Sequence, residues 1–218
     1  HYFLFHQAHC LRIYCNSFSA RIFVITFRIA MIDSSSATIR KVCVYCAASI
    51  QCNQIYRDVA YEVGSLLAQN KISIVYGGSS VGSMGALADG AINMGGKITG
   101  ILPGFLNTVE RAHTGLDELI EVKDFHERKS KMIEGVDGVI SLPGGLGTFE
   151  ELMEAMMWKR LGLHLHPIFL VNTNNFFEPF VNLIDKAISE RFIPQEKIDL
   201  FHVVNSPEIL ISKLTSHQ

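Results

Sequence analysis

The residues with the clearest chemical content lie in one stretch, Ser141-Leu142-Pro143-Gly144-Gly145-Leu146-Gly147-Thr148-Phe149-Glu150-Glu151. The apolar run 138–142 leads into it and reads as a buried strand, and Leu152 to Trp158 leaves it with the pattern of a helix. The glycines therefore occupy a strand-to-helix turn, where they let the backbone approach a ligand closely. The helix behind aims its free N–H groups and positive dipole end into that turn. Such a turn suits an anion, above all a phosphate. Glu150 and Glu151 stand beside it in the first helical turn. A phosphate holder next to a carboxylate is a layout for chemistry on a sugar phosphate. The same residues also allow a structural reading. Thr148-x-x-Glu151 has the form of a capping box, in which Glu151 reaches back to the N–H of the cap residue, and Glu150 is then a solvated acid.

Positioning such a turn takes a sheet. Apolar runs at 41–46, 72–76, 97–102, 119–122, 138–142, 167–171 and 201–204 read as strands. Between and after them, helical patterns run over 53–70, from the Gly77–Gly85 turn to Asn93, from His126 through Met132, along the central helix, over 177–190, and over 207–214 with Ser206 as cap. This alternation predicts one α/β domain, a Rossmann-like open parallel sheet flanked by helices on both faces. In such sheets ligands bind beyond the carboxyl ends of the strands, near a topological switch point. Ser49, the turn holding Gly77, Gly78 and Met84, and the turn holding Gly144, Gly145 and Gly147 all fall at predicted strand ends, where they could converge on one pocket.

Composition narrows the function. Hydrophobic residues make up 48% of the chain and charged residues 18%, which suits a packed domain rather than a disordered one. A net charge of −2 leaves no electrostatic footprint for nucleic acid. The apolar runs are strand-length, so no membrane partner is expected. The five cysteines make an odd set that argues for a reducing compartment, and the expected location is the cytoplasm. Cys43-x-x-Cys46 lies along a strand, where residues three apart face opposite sides. It therefore reads as two buried hydrophobes rather than a metal or redox pair. The Gly77–Gly85 turn is not G-x-G-x-x-G, no acid ends the next strand, and no Walker lysine follows, so NAD and ATP hydrolysis are disfavoured. No nucleophile elbow is present. No metal site and no cofactor are expected.

Pro143 to Glu151 fits PGGxGTxxE at every specified position. On that motif the chain resembles the Lonely guy family of cytokinin-activating phosphoribohydrolases, whose members are often labelled lysine decarboxylases. The resemblance runs from about Lys41 to about Phe201. His126-Glu127-Arg128-Lys129 matches the family's basic segment at the same separation. Tyr76 to Gly85 resembles YGGGxxGLMG, with Ser79 and Ser83 in place of Gly and Leu. The resemblance implies a substrate, an N6-modified adenosine 5′-monophosphate or AMP itself, hydrolysed at its N-glycosidic bond to free base and ribose 5-phosphate. It implies Arg128 and Glu151 as the catalytic pair. Ser49, Gly77, Gly78, Met84, Glu110, Lys129, Gly144, Gly145, Leu146, Gly147, Thr148, Phe149, Glu150 and Met157 are the implied substrate contacts, Met157 standing where the family usually has Thr. It also implies a homodimer or larger homo-oligomer. Two alternatives stand beside it: a non-catalytic nucleotide-binding sensor, and a phosphoribohydrolase for another nucleoside monophosphate.

Residues 1–38 are set apart. The first thirty carry Arg12, Arg21 and Arg28 and no acid, and Met31 resembles an ordinary start. They are expected to be a leader outside the fold, an organelle presequence being the other reading. The α/β domain is expected over 39–216.

Overall fold

The structure is a computed structural model, and it describes residues 38–106, 111–194 and 199–216. Residues 1–37 of the expected leader and Glu110 lie outside the described residues. Seven strands form the sheet: β1 (Lys41–Tyr45), β2 (Ser73–Tyr76), β3 (Ile98–Pro103), β4 (Glu118–Val122), β5 (Gly138–Ser141), β6 (Ile168–Val171) and β7 (His202–Val204). Among the described residues six helices accompany them: α1 (Gln54–Gln69), α2 (Gly82–Asn93), α3 (Phe125–Ile133), α4 (Leu146–Arg160), α5 (Glu178–Ser189) and α6 (Pro207–Thr215).

Every strand pair is parallel, in the order β4-β3-β2-β1-β5-β6-β7. The central strands are buried on both faces, which is why β1, β2, β5 and β6 read as unbroken apolar runs. On one face Val42, Val44, Ile74, Tyr76 and Ile140 pack with Val63 and Leu67 of α1, Leu87 and Ala91 of α2, and Leu210 and Leu214 of α6. On the other, Cys43, Tyr45, Val75, Val139 and Leu170 pack with Met132 of α3, Leu152 and Met156 of α4, and Ile184 of α5.

This topology positions the site. The chain runs outward from β1 through β4, then returns to β5 on the other side of β1. The turn after β1 leads to a helix on one face, and the turn after its neighbour β5 leads to a helix on the other. The two connections part and open a crevice at the switch point. Cys43 and Cys46 point into cores on opposite faces, as residues three apart on extended chain must.

One element begins earlier than its sequence suggests. Gly145 is the N-cap of α4 and the helix starts at Leu146, so Thr148 is its third residue and not its cap. The capping box is not formed. Glycine is a poor helix former, which hides Gly147 inside the first turn.

Candidate active site

A cavity of about 300 Å³ lies at the switch point, and Ser49, Arg128, Gly145, Gly147, Thr148 and Glu151 are among the residues lining it. Three turns bring them together. The one after β1 is pinned to the start of α2 by the Met84 N–H, which donates to the Ala47 carbonyl at 3.1 Å. Gly82, at φ +63°, sits against the same turn: a Cβ there would lie 2.5 Å from the Ala48 carbonyl carbon. Only glycine fits that approach. The turn after β2 is tied down separately. Ser80 N–H donates to Arg111 O and His113 N–H to Gly78 O, each at 2.9 Å. Ser79 bridges Ala112 and accepts the Val81 N–H at 3.3 Å, so Ser79 anchors this loop rather than lining the cavity.

The third turn has the features that suit an anion. No side chain caps α4, and its first backbone bond is Phe149 N–H to Gly145 O at 3.0 Å. The N–H groups of Leu146, Gly147 and Thr148 precede that bond and have no partner within the helix. A Cβ at Gly145 or Gly147 would meet nothing within 4 Å, so the backbone there is open to a ligand. Gly144 differs: its Cβ would lie 2.1 Å from Thr148 Oγ1, so this glycine lets the turn close onto the helix.

Two charged side chains are buried beside the turn. Arg128, on α3, is 4% exposed, and Glu151, on α4, is 8% exposed. Arg128 Nε lies 4.0 Å from Glu151 Oε1, near enough for charge attraction but too far for a hydrogen bond. Arg128 Nη2 donates to the Gly77 carbonyl at 3.2 Å, which fixes the guanidinium from across the sheet. Its Nε is buried with no hydrogen-bond partner among the described residues. An orphaned buried donor on a charged group is costly, and a bound anion or ligand oxygen would relieve that cost. Burial first, and then the charge of Glu151, push the Cys46 thiol well above its ordinary range. Cys46 therefore lines the cavity as a neutral thiol.

Lys129 behaves differently from Arg128. Its ammonium is buried and held by Glu150, and by Glu154 at 2.8 Å, both on α4. Burial alone would lower its pKa, but the hydrogen bonds and charges of the two carboxylates outweigh this and raise it. The triad ties α3 to α4 at the cavity edge. Of the two adjacent acids, Glu151 points inward beside Arg128 while Glu150 stays exposed on Lys129.

Of the residues singled out from sequence, Ser49, Met84, Arg128, Lys129, Gly145, Gly147, Thr148, Glu150 and Glu151 line the cavity. Gly77 holds Arg128 from behind. Gly78, at φ +79°, shapes its turn. Leu146 is exposed, and Phe149 stacks with Phe176 and Phe180. Met157 is 48% exposed and outside the lining. Sequence reasoning missed Phe125, which lines the cavity at the first residue of α3. Its one available signal was a large apolar residue opening an otherwise polar helix. Among the described residues no group of three or more His, Cys, Asp or Glu could hold a metal ion. No described helix is long and apolar enough to cross a membrane.

A family model described as possible lysine decarboxylase matches residues 84–214. A probable cytokinin riboside 5′-monophosphate phosphoribohydrolase of Oryza sativa subsp. japonica is 38% identical over 192 residues, 88% of this chain and 78% of that protein. A cytokinin riboside 5′-monophosphate phosphoribohydrolase of Rhodococcoides fascians is 42% identical over 157 residues, 72% of this chain and 79% of that one. The chain belongs to the Lonely guy family. Solved structures share the fold more widely. The molybdenum cofactor binding protein of Rippkaea orientalis superposes with a TM-score of 0.62 at 25% identity, covering 83% of this chain and 98% of that one. The molybdenum cofactor carrier protein of Chlamydomonas reinhardtii gives 0.63 at 21% identity, covering 82% and 98%. At that identity the second likeness speaks for the fold alone. In this chain PGGxGTxxE is the turn and helix start with the open backbone, and its last residue is the buried Glu151.

Proposed function

We propose that this Lonely guy protein hydrolyses the N-glycosidic bond of N6-modified adenosine 5′-monophosphates, and of AMP, to free base and ribose 5-phosphate. The observation that carries the reading is the buried Arg128–Glu151 pair beside an uncapped helix N-terminus. The phosphate would bind the N–H groups of Leu146, Gly147 and Thr148, where backbone donors and the helix dipole favour an anion. That grip fixes the ribose, and binding far from the reacting bond is then available at it. Cleavage passes through an oxocarbenium-like state. Glu151 would stabilise its positive charge and take a proton from the attacking water. Arg128 stays protonated at any working pH, so it would orient Glu151 and stabilise charge on the departing purine, which takes up its proton from solvent. Substrate contacts follow as above, with Ser49 and Met84 on the opposite wall.

α4 also supports a homo-oligomer. Met153, Met157 and Leu161 recur every four residues and are exposed, with Leu163 and Leu165 exposed just beyond them. A second copy covering this stripe would bury apolar surface that water now meets.

The test is product analysis with N6-isopentenyl-AMP, AMP and their dephosphorylated nucleosides. Base release from the monophosphates and not from the nucleosides is expected. Equal release from the nucleosides would remove the phosphate anchor. Tight binding with no release would leave the sensor reading, a binding-only role on the same frame.

A further inference from the structure

The phosphate and ribose ends of the cavity are accounted for by α4, Arg128 and Glu151, but nothing yet holds the base. We propose that Phe125 is the stacking platform for the purine and that Phe105 braces it, an inference that rests on the cavity taking a nucleoside monophosphate. Phe125 is the one aromatic side chain among the described residues lining the cavity, and it is 49% exposed. It stands three residues before Arg128 on α3, so both share one helix face, about 4.5 Å apart along the axis. With the sugar held at Arg128 and Glu151, a base attached to it extends over the scale of that one turn. Phe105 sits in the short 3₁₀ turn Gly104–Leu106 that follows β3, at the carboxyl edge of the sheet. It is 55% exposed and meets Phe125 edge-on, with ring centroids 5.5 Å apart and planes at 75°. Edge-to-face contact fixes one ring against the other and leaves the open face of Phe125 for a planar partner. Two large apolar rings half in water at the rim of the cavity have a hydration cost that a stacked base would relieve. Stacking tolerates any base, so this subsite grips purines by their faces and leaves the N6 substituent to other walls.

Calorimetric titration in a Glu151→Gln background separates the subsites without turnover. In that background Phe125→Ala is expected to weaken AMP and N6-isopentenyl-AMP alike by about tenfold and to leave ribose 5-phosphate unchanged. Phe125→Tyr restores binding, and Phe105→Ala gives a smaller loss of the same pattern. Equal weakening of ribose 5-phosphate, unchanged AMP affinity, or a loss confined to the N6-substituted nucleotide would overturn the proposal. So would a changed sedimentation coefficient, which would place the rings at a subunit interface. A wild-type protein that binds AMP through Phe125 yet releases no base would overturn the hydrolase reading and leave this one standing.

Discussion

Replacing Gly77 by alanine tests whether Arg128 acts through its position. The added methyl would lie 2.2 Å from Arg128 Nη2 and 2.9 Å from Met84 Sδ. Both are ends of long side chains, so the fold has room to adjust. Restoring ordinary contact requires the guanidinium to retreat by about 1 Å. That retreat strains or breaks the 3.2 Å bond to the Gly77 carbonyl. It also changes a spacing to Glu151 that is already 4.0 Å. A displacement of that size at a reacting centre costs roughly a hundredfold in rate, equivalent to about 2.7 kcal/mol of transition-state stabilisation. Because Arg128 is assigned to the transition state, the loss should fall on kcat with KM nearly unchanged. Global stability should fall by about 1–3 kcal/mol, the cost of a buried charged donor losing its partner while the core side chain of Met84 shifts. Steady-state kinetics on N6-isopentenyl-AMP beside thermal melting reads both. A variant that keeps wild-type kcat refutes the positional role of Arg128. One whose melting temperature collapses refutes the claim that only two flexible side chains yield.

The glycine turn before α4 and the lysine triad beside it carry three further predictions. Gly147→Ala adds a methyl where nothing lies within 4 Å, so melting should be unchanged while KM for monophosphates rises several-fold. Gly144→Ala drives its methyl into Thr148 and should cost about 1–3 kcal/mol of stability on denaturant titration; the reverse pattern would move the anion site away from Gly147. Lys129→Met removes the cation between Glu150 and Glu154 and should cost about 1–2 kcal/mol at neutral pH, Glu150 being exposed and its share screened. The Lys129 pKa is raised in the folded state, so its contribution is fully present below the ordinary lysine value of 10.5 and is lost only as pH rises through the higher folded value. The gap between wild type and variant should therefore hold from neutral pH to about 10 and close above that; a gap closing near pH 8 would show the triad is not the source.

Much of this was legible in the chain. Parallel strands buried on both faces announce themselves as short apolar runs, and the glycine turns mark their carboxyl ends. The pairing of Gly77 with Arg128 was not legible from residue spacing, because it joins residues 51 positions apart through two turns on different strands. The start of α4 was misplaced because glycine within a first helical turn resembles loop. Met157 illustrates a periodicity that was available. At about 100° per residue, six residues from Glu151 rotate a side chain well away from the cavity. Its half-exposed place on the outer face of α4 follows from that rotation. Phe125 was invisible for the opposite reason, since an apolar residue at a helix start reads as a staple or as core until the cavity beside it is seen.

In the proposed reaction Glu151 performs the chemistry while the turn before it holds the phosphate. Single-turnover product analysis of Glu151→Gln against wild type, with nucleotide affinity measured on both, separates the two. Base release is expected to fall by at least about a hundredfold while affinity for the monophosphate is retained or improved, one negative charge having been removed from beside the phosphate. Base release at the wild-type rate from Glu151→Gln would contradict it.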